Sequence, residues 1–163
     1  MIFTDDASLV TLGDIEIGTL ALSFAYGHNG AACLIADAAD AGAKLLVRLQ
    51  SPFYTTYEDH RTVLLSLGVP KIRFDPASAV SDERRRLESG TLVITQDGPG
   101  IYQSSNGGGV VAGHAVLLSG ERRQFYRARE IPAFARWEIG YDREEEFVPI
   151  AMIELDNDNT SGG

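Results

Sequence analysis

The chain has 163 residues, 44% of them hydrophobic and 23% charged, which fits one ordinary globular domain and excludes a wholly disordered, collagenous or coiled-coil protein. No apolar run approaches the roughly 18 residues of a membrane-spanning helix. With 23 acidic against 14 basic residues the formal net charge is −9, which repels phosphate backbones, so neither a membrane nor a nucleic acid is an expected partner.

Cys33 is the only cysteine, so an internal disulfide and a multi-cysteine zinc site are both excluded. His28, His60 and His114 have no i,i+4 spacing that would pair two imidazoles on a helix. No metal and no cofactor is expected. The start, Met1 to Asp6, has no basic residue of the kind that opens a secretory signal, which makes the cytoplasm the expected compartment.

In chain order, the alternation of Asp14-Ile15-Glu16-Ile17 and of Leu20, Leu22 and Phe24 with small polar residues predicts one or two strands between residues 8 and 25. Tyr26-Gly27-His28-Asn29-Gly30 is turn chemistry. The alanine-rich run from Ala31 to Asp40 predicts a helix ending near Gly42. Thr55 and Glu58 match a capping box, which predicts a second helix closed by Gly68. Val69 to Phe74 reads as a short strand, and Ser81 caps a short helix through Leu87. Thereafter the chain reads as strands at 91–95, 110–119, 124–129 and 147–155. Asp97-Gly98-Pro99-Gly100 and Asn106-Gly107-Gly108-Gly109 read as turns or loops, and Gly120-Glu121 as a hairpin. Beyond Leu155 there is no apolar side chain to bury, so 156–163 is expected to be a disordered tail. The expected fold is a single α+β domain over 1–155, with N-terminal strands and helices followed by an antiparallel sheet.

On that arrangement Cys33 falls at a helix start, where unpaired N–H groups and a partial positive charge stabilise a thiolate. His114 heads the apolar run Ala115 to Leu118 and could present its ring to the thiol, and Glu130 could hold the second ring nitrogen from the far end of the next strand. Cys33, His114 and Glu130 are therefore the candidate nucleophile, base and orienter.

The order of Cys33, then Ser89-Gly90-Thr91-Leu92-Val93, then Gly113-His114-Ala115-Val116-Leu117, resembles the papain-like cysteine hydrolases, especially the bacterial cell-wall endopeptidase and leader-peptidase branches. The resemblance covers residues 33 to 130. It implies a papain-like fold and cleavage of a peptide or cell-wall amide through a thioester. His28 and Asn29 stand near the place of the oxyanion glutamine, and with Gly113 they are the candidate substrate-binding residues. Thr91 and Glu130 depart from the residue types usual in the family.

Two alternatives carry other chemistry. A non-catalytic protein-binding or immunity-type module would use a surface of Arg84, Arg85, Arg86, Arg122, Arg123, Arg127, Arg129 and Arg136 with Phe125, Tyr126, Phe134 and Trp137 to grip a carboxylate or an acidic peptide. The first 43 residues hold six acids and no base, and could instead neutralise those arginines. The order Arg48, Ser104-Ser105, then Glu144-Glu145-Glu146 resembles the Arg-Ser-Glu pattern of ADP-ribosyltransferases, which implies NAD as substrate.

Overall fold

The computed structural model describes residues 7–25, 27–38, 42–80, 87–104, 113–125 and 131–156. Of these, 56% are in strands and 2% are helical, so the α+β expectation, and the papain-like fold with it, is overturned.

The decisive segment is β3 (Ala31–Asp37). Every residue from Ala31 to Ala36 is buried. A short apolar run bounded by turn residues suits a buried helix or a strand covered on both faces, and periodicity alone does not separate them. Here β2 (Leu20–Ser23) and β4 (Lys44–Arg48) pair with it on either side, and pairing overrides the helical preference of alanine. The second expected helix is also absent. β5 (Thr55–Tyr57) and β6 (Val63–Gly68) take its place, joined by a turn in which the Asp59 carboxylate accepts the Arg61 N–H at 2.8 Å. The helix expected at Ser81 falls on residues 81–86, outside the described residues, as do 157–163 of the expected tail.

The strands form three antiparallel sheets. The first has the order β1-β6-β2-β3-β4-β5, where β1 is Ser8–Thr11. The second is β11-β10-β9-β8-β12, built from β8 (Leu92–Thr95), β9 (Gly98–Ser104), β10 (Gly113–Leu117), β11 (Arg122–Phe125) and β12 (Ala133–Phe134). The third is β14-β13-β7, built from β7 (Lys71–Phe74), β13 (Arg136–Arg143) and β14 (Glu146–Glu154). The early strands, β7, the β10–β11 hairpin and β14 follow the sequence expectation. β9 and β13 do not: Gly98-Pro99-Gly100 opens a strand rather than closing a turn.

Alternation sorts the side chains into layers. Leu20, Leu22, Leu34, Val47 and Leu49 point from one face of the first sheet into a core completed by Leu92, Ile101 and Val116 of the second and Trp137, Ile139 and Ile153 of the third. The other face carries Ala21, Cys33, Ile35, Leu46 and Leu64, and the β1–β2 connection covers it with Leu12 and Ile15. Lys44 fastens that cover by donating to the carbonyls of Gly13 at 2.7 Å and Ile15 at 2.6 Å.

The β13–β14 hairpin bends at a bulge between Ile139 and Gly140, where a Cβ would collide with the Val148 carbonyl. Its tip is Glu144-Glu145, with φ of 48° and 67°. Left-handed values at both central residues are those of a type I′ turn, which Asn-Gly adopts more easily than two glutamates. Gly140→Ala should therefore cost roughly 2 kcal/mol or more, read as a lowered urea midpoint. Replacing Glu144-Glu145 with Asn-Gly should stabilise the protein by about 0.5–1 kcal/mol in the same assay.

Candidate functional site

Cys33 stands opposite Arg48 across the β3–β4 pair, on the face of the first sheet that Leu12 and Ile15 help to cover. Its Sγ lies 3.8 Å from His28 Nδ1 and 3.6 Å from the Ala31 carbonyl. On the far side of the ring, His28 Nε2 is 3.5 Å from both Glu58 Oε1 and Thr56 Oγ1. Tyr54 meets the imidazole edge-on, and Arg48 Nη1 donates to the Tyr54 hydroxyl and to the Gly27 carbonyl, both at 3.2 Å. Thiol, imidazole and carboxylate thus stand in the order of a nucleophilic triad.

The surroundings work against nucleophilic chemistry. Cys33 is 0% exposed. Burial pushes its thiol up to about 12; the Arg48 charge lowers it and Glu58 raises it further, and burial wins. In this form the thiol is protonated at neutral pH and closed to a carbonyl arriving from solvent. The sequence put Cys33 at a helix N-terminus, where the backbone would favour a thiolate. In the middle of a strand those N–H groups are spent on the ladder.

The structure brings Cys33 together with His28 and not with His114, which is on β10 of the second sheet with partners of its own. Gly113 opens the same strand, Asn29 sits in the turn before β3 with φ of 50°, and Glu130 lies outside the described residues. The ADP-ribosyltransferase set is not gathered into one constellation by any described contact. Arg48 turns to Tyr54 and Gly27, Glu144 and Glu145 form a hairpin tip, and Ser105 is outside the described residues. The Gly107–Gly109 loop is outside them too.

A second polar cluster surrounds His114. Its Nε2 is 3.1 Å from Gln103 Oε1 and 3.3 Å from Arg122 Nη2, and Gln103 Oε1 accepts from Thr55 Oγ1 at 2.7 Å. Burial and the Arg122 charge both hold His114 below the usual histidine range.

A shallow trough forms the third feature. Cross-strand register aligns Arg73, Glu138 and Met152 on the outer face of the third sheet, and beside them Arg136 and Glu154. With Asp75, Phe74 and Trp137 these residues line a concavity of about 410 Å³. A second, of about 300 Å³, shares Met152 and Glu154 and continues to Phe53, Glu88, Leu155 and Asp156. Arg136 is held by Asp75 at 3.5 Å and Glu154 at 3.7 Å, and Arg73 lies over the Phe147 ring. Arg123 likewise pairs with Asp97 and Glu121. The acids that neutralise Arg123 and Arg136 are thus not those of the first 43 residues.

Among the described residues no group of three or more His, Cys, Asp or Glu is placed to hold a metal ion, and no helix is long and apolar enough to cross a membrane. Comparison with protein-family models, with curated proteins and with solved structures gives no match.

Tyr54, Thr56 and Glu58 escaped the sequence reading although they alternate at a period of two, because the Thr55–Glu58 cap pattern outweighed that signal. Arg122 enters the sequence reading only as one of a surface of arginines, and Gln103 carried no signal of its own; register within the second sheet sets both beside His114, and the packing of two sheets brings Thr55 to Gln103.

Two outcomes follow for Cys33. At pH 8 on the order of one thiol in ten thousand is ionised, so iodoacetamide should leave the native protein unmodified while alkylating the urea-unfolded chain. A thiol titrating near 9 when unfolded and about 12 when folded keeps its proton longer in the native state. Between those values stability falls as pH rises, by about 1.4 kcal/mol per pH unit. Cys33→Ala should remove that component of the alkaline slope in urea melts compared with the parent.

Proposed function

We propose that this protein is a non-catalytic binding module that takes an extended, basic segment of a partner protein along β14. The observation that carries the reading is the acid-rimmed trough on either side of the C-terminal end of that strand. Among the described residues β14 is an edge strand, paired only with β13. The Leu155 N–H donates to Ala135 on the β13 side, so alternation turns the backbone groups of Met152 and Glu154 to the open side. The second concavity follows consecutive residues from Met152 to Asp156, as a groove beside an unpaired strand does. Met152 is 68% exposed there, an adaptable apolar anchor in reach of both concavities.

Charge selects the partner. Asp75, Glu88, Glu138, Glu154 and Asp156 line the trough against Arg73 and Arg136, and Arg136 is already paired. A peptide adding as a strand gains backbone hydrogen bonds from β14 and specificity from the pockets, and lysine or arginine side chains complement the rim. Pro149 has no N–H to offer, so pairing is confined to the half of the strand beyond it. The cysteine hydrolase reading is not carried forward, because its nucleophile is sealed and protonated.

An array of random ten-residue peptides, with hits measured by fluorescence polarisation, tests this. Hits should be rich in Lys and Arg around an apolar residue, weaken as salt is raised, lose about tenfold or more in affinity with Met152→Asp, and be untouched by Cys33→Ala. Hits that ignore both Met152→Asp and Glu154→Lys, or an array with none, would overturn the assignment.

A further inference from the structure

The cluster at Thr55, Gln103, His114 and Arg122 occupies the polar end of the main core. On β9, Gln103 shares a face with Ile101, and on β10, His114 shares one with Val116; on β5, Thr55 stands opposite Val47. Ile101, Val116 and Val47 all belong to the apolar layer between the first and second sheets. The same layer therefore changes from hydrocarbon to hydrogen-bonding groups within two residues along each of these strands, and Arg122 reaches the polar end from β11.

The hydrogen bonds of this end do not close. Gln103 is only 7% exposed, and its Nε2 is buried with no partner. His114 Nε2 cannot donate to Gln103 Oε1 and accept from Arg122 at the same time. Rotating the Gln103 amide does not help: it leaves the carbonyl unpaired instead, and sets two donors on one ring lone pair. Arg122 forms no ion pair among the described residues, in a chain of net charge −9 whose Arg61, Arg123 and Arg136 all do. Among the described residues a guanidinium, an imidazole, a hydroxyl and an unpaired amide N–H₂ thus converge with too few acceptors.

We propose that this end of the sandwich is a binding site for a small oxyanion, a phosphate or carboxylate group, held by Arg122 and by His114 in its protonated form, with the Gln103 amide as a further donor. The anion supplies the acceptor that Arg122 lacks, and protonation of His114 turns Nε2 into a donor that no longer competes with it. Arg122 is the charged group facing the imidazole, from β11; Gln103 from β9 and Thr55 from β5 are neutral. The site is independent of the peptide trough, and either assignment can fail alone.

The test is the titration of His114 followed by NMR, in sodium phosphate and in sodium chloride of equal ionic strength, with acetate as a third arm. Without a binding anion, burial and Arg122 hold His114 low. Phosphate, acetate or both should raise its midpoint by about half a unit or more, saturably, while chloride does not. Which arm acts tells phosphate from carboxylate. Arg122→Gln, at an exposed position, should raise the midpoint in chloride by removing a like charge and abolish the anion-dependent rise. A merely structural Arg122 would give the first effect and leave the second intact. Superimposable titrations in all three salts, or an anion-dependent rise that survives Arg122→Gln, would overturn the proposal.

Discussion

The architecture depends on one strand being buried on both faces. β3 sends Ala32, Leu34 and Ala36 into the layer shared with the other two sheets, and Cys33 and Ile35 to the opposite side. A sheet with water on one side would need only one covering layer. This one needs two, and the second is an irregular connection, not a sheet. Leu12 and Ile15 supply its apolar surface, and the Lys44 ammonium replaces strand hydrogen bonds by holding two of its carbonyls. The burial of Cys33 follows from that cover. So does the fate of the triad-like row beside it, because the dry environment that aligns thiol, imidazole and carboxylate also keeps the thiol protonated.

The polar groups of the interior are therefore of two kinds. Around His28 they close on one another: the imidazole has a neighbour at each nitrogen, and Arg48 is divided between a carbonyl, a hydroxyl and an aromatic face. The cluster acts as a polar plug between strand ends and leaves little for a ligand, the buried Arg48 Nε apart. Around His114 the groups remain short of acceptors, and Gln103, the most buried of them, carries the deficit. Buried donors without acceptors are costly enough that each one asks for an explanation. An absent anion supplies one where the neighbouring charge is positive.

The sequence disclosed strands such as β7 and β14, because one exposed and one more buried face leave a mark at a period of two. It concealed β3, whose apolar run carries no such mark, and β5, whose Thr55 resembles a helix cap but donates to Gln103 on another sheet. It singled out Cys33, His28 and His114 as chemically able side chains, and each does sit in a polar cluster. It misassigned who meets whom. His28 is five residues from Cys33 and meets it across a turn, whereas His114 is linked to Thr55 through Gln103, which meets Thr55 across 48 positions of chain. Contacts at that separation depend on sheet order, and sheet order was lost with the first misread helix.

Charge gives the last step. Three of the described arginines are answered by carboxylates close in space, Arg61 by Asp59, Arg123 by Asp97 and Glu121, Arg136 by Asp75 and Glu154. Exposed pairs of this kind contribute little to stability, since water already screens both partners. Their effect is to neutralise Arg123 and Arg136, two of the arginines that would have drawn an acidic ligand, while Glu138, Glu88 and Asp156 still line the trough of the third sheet. Among the described residues Arg122 has no carboxylate partner, and it stands next to a histidine that burial, and after it the Arg122 charge, hold below the usual range. On the two readings proposed above, the fold keeps two binding chemistries apart: a carboxylate rim on the third sheet that draws cations, and a donor cluster at Arg122, His114 and Gln103 that takes an anion.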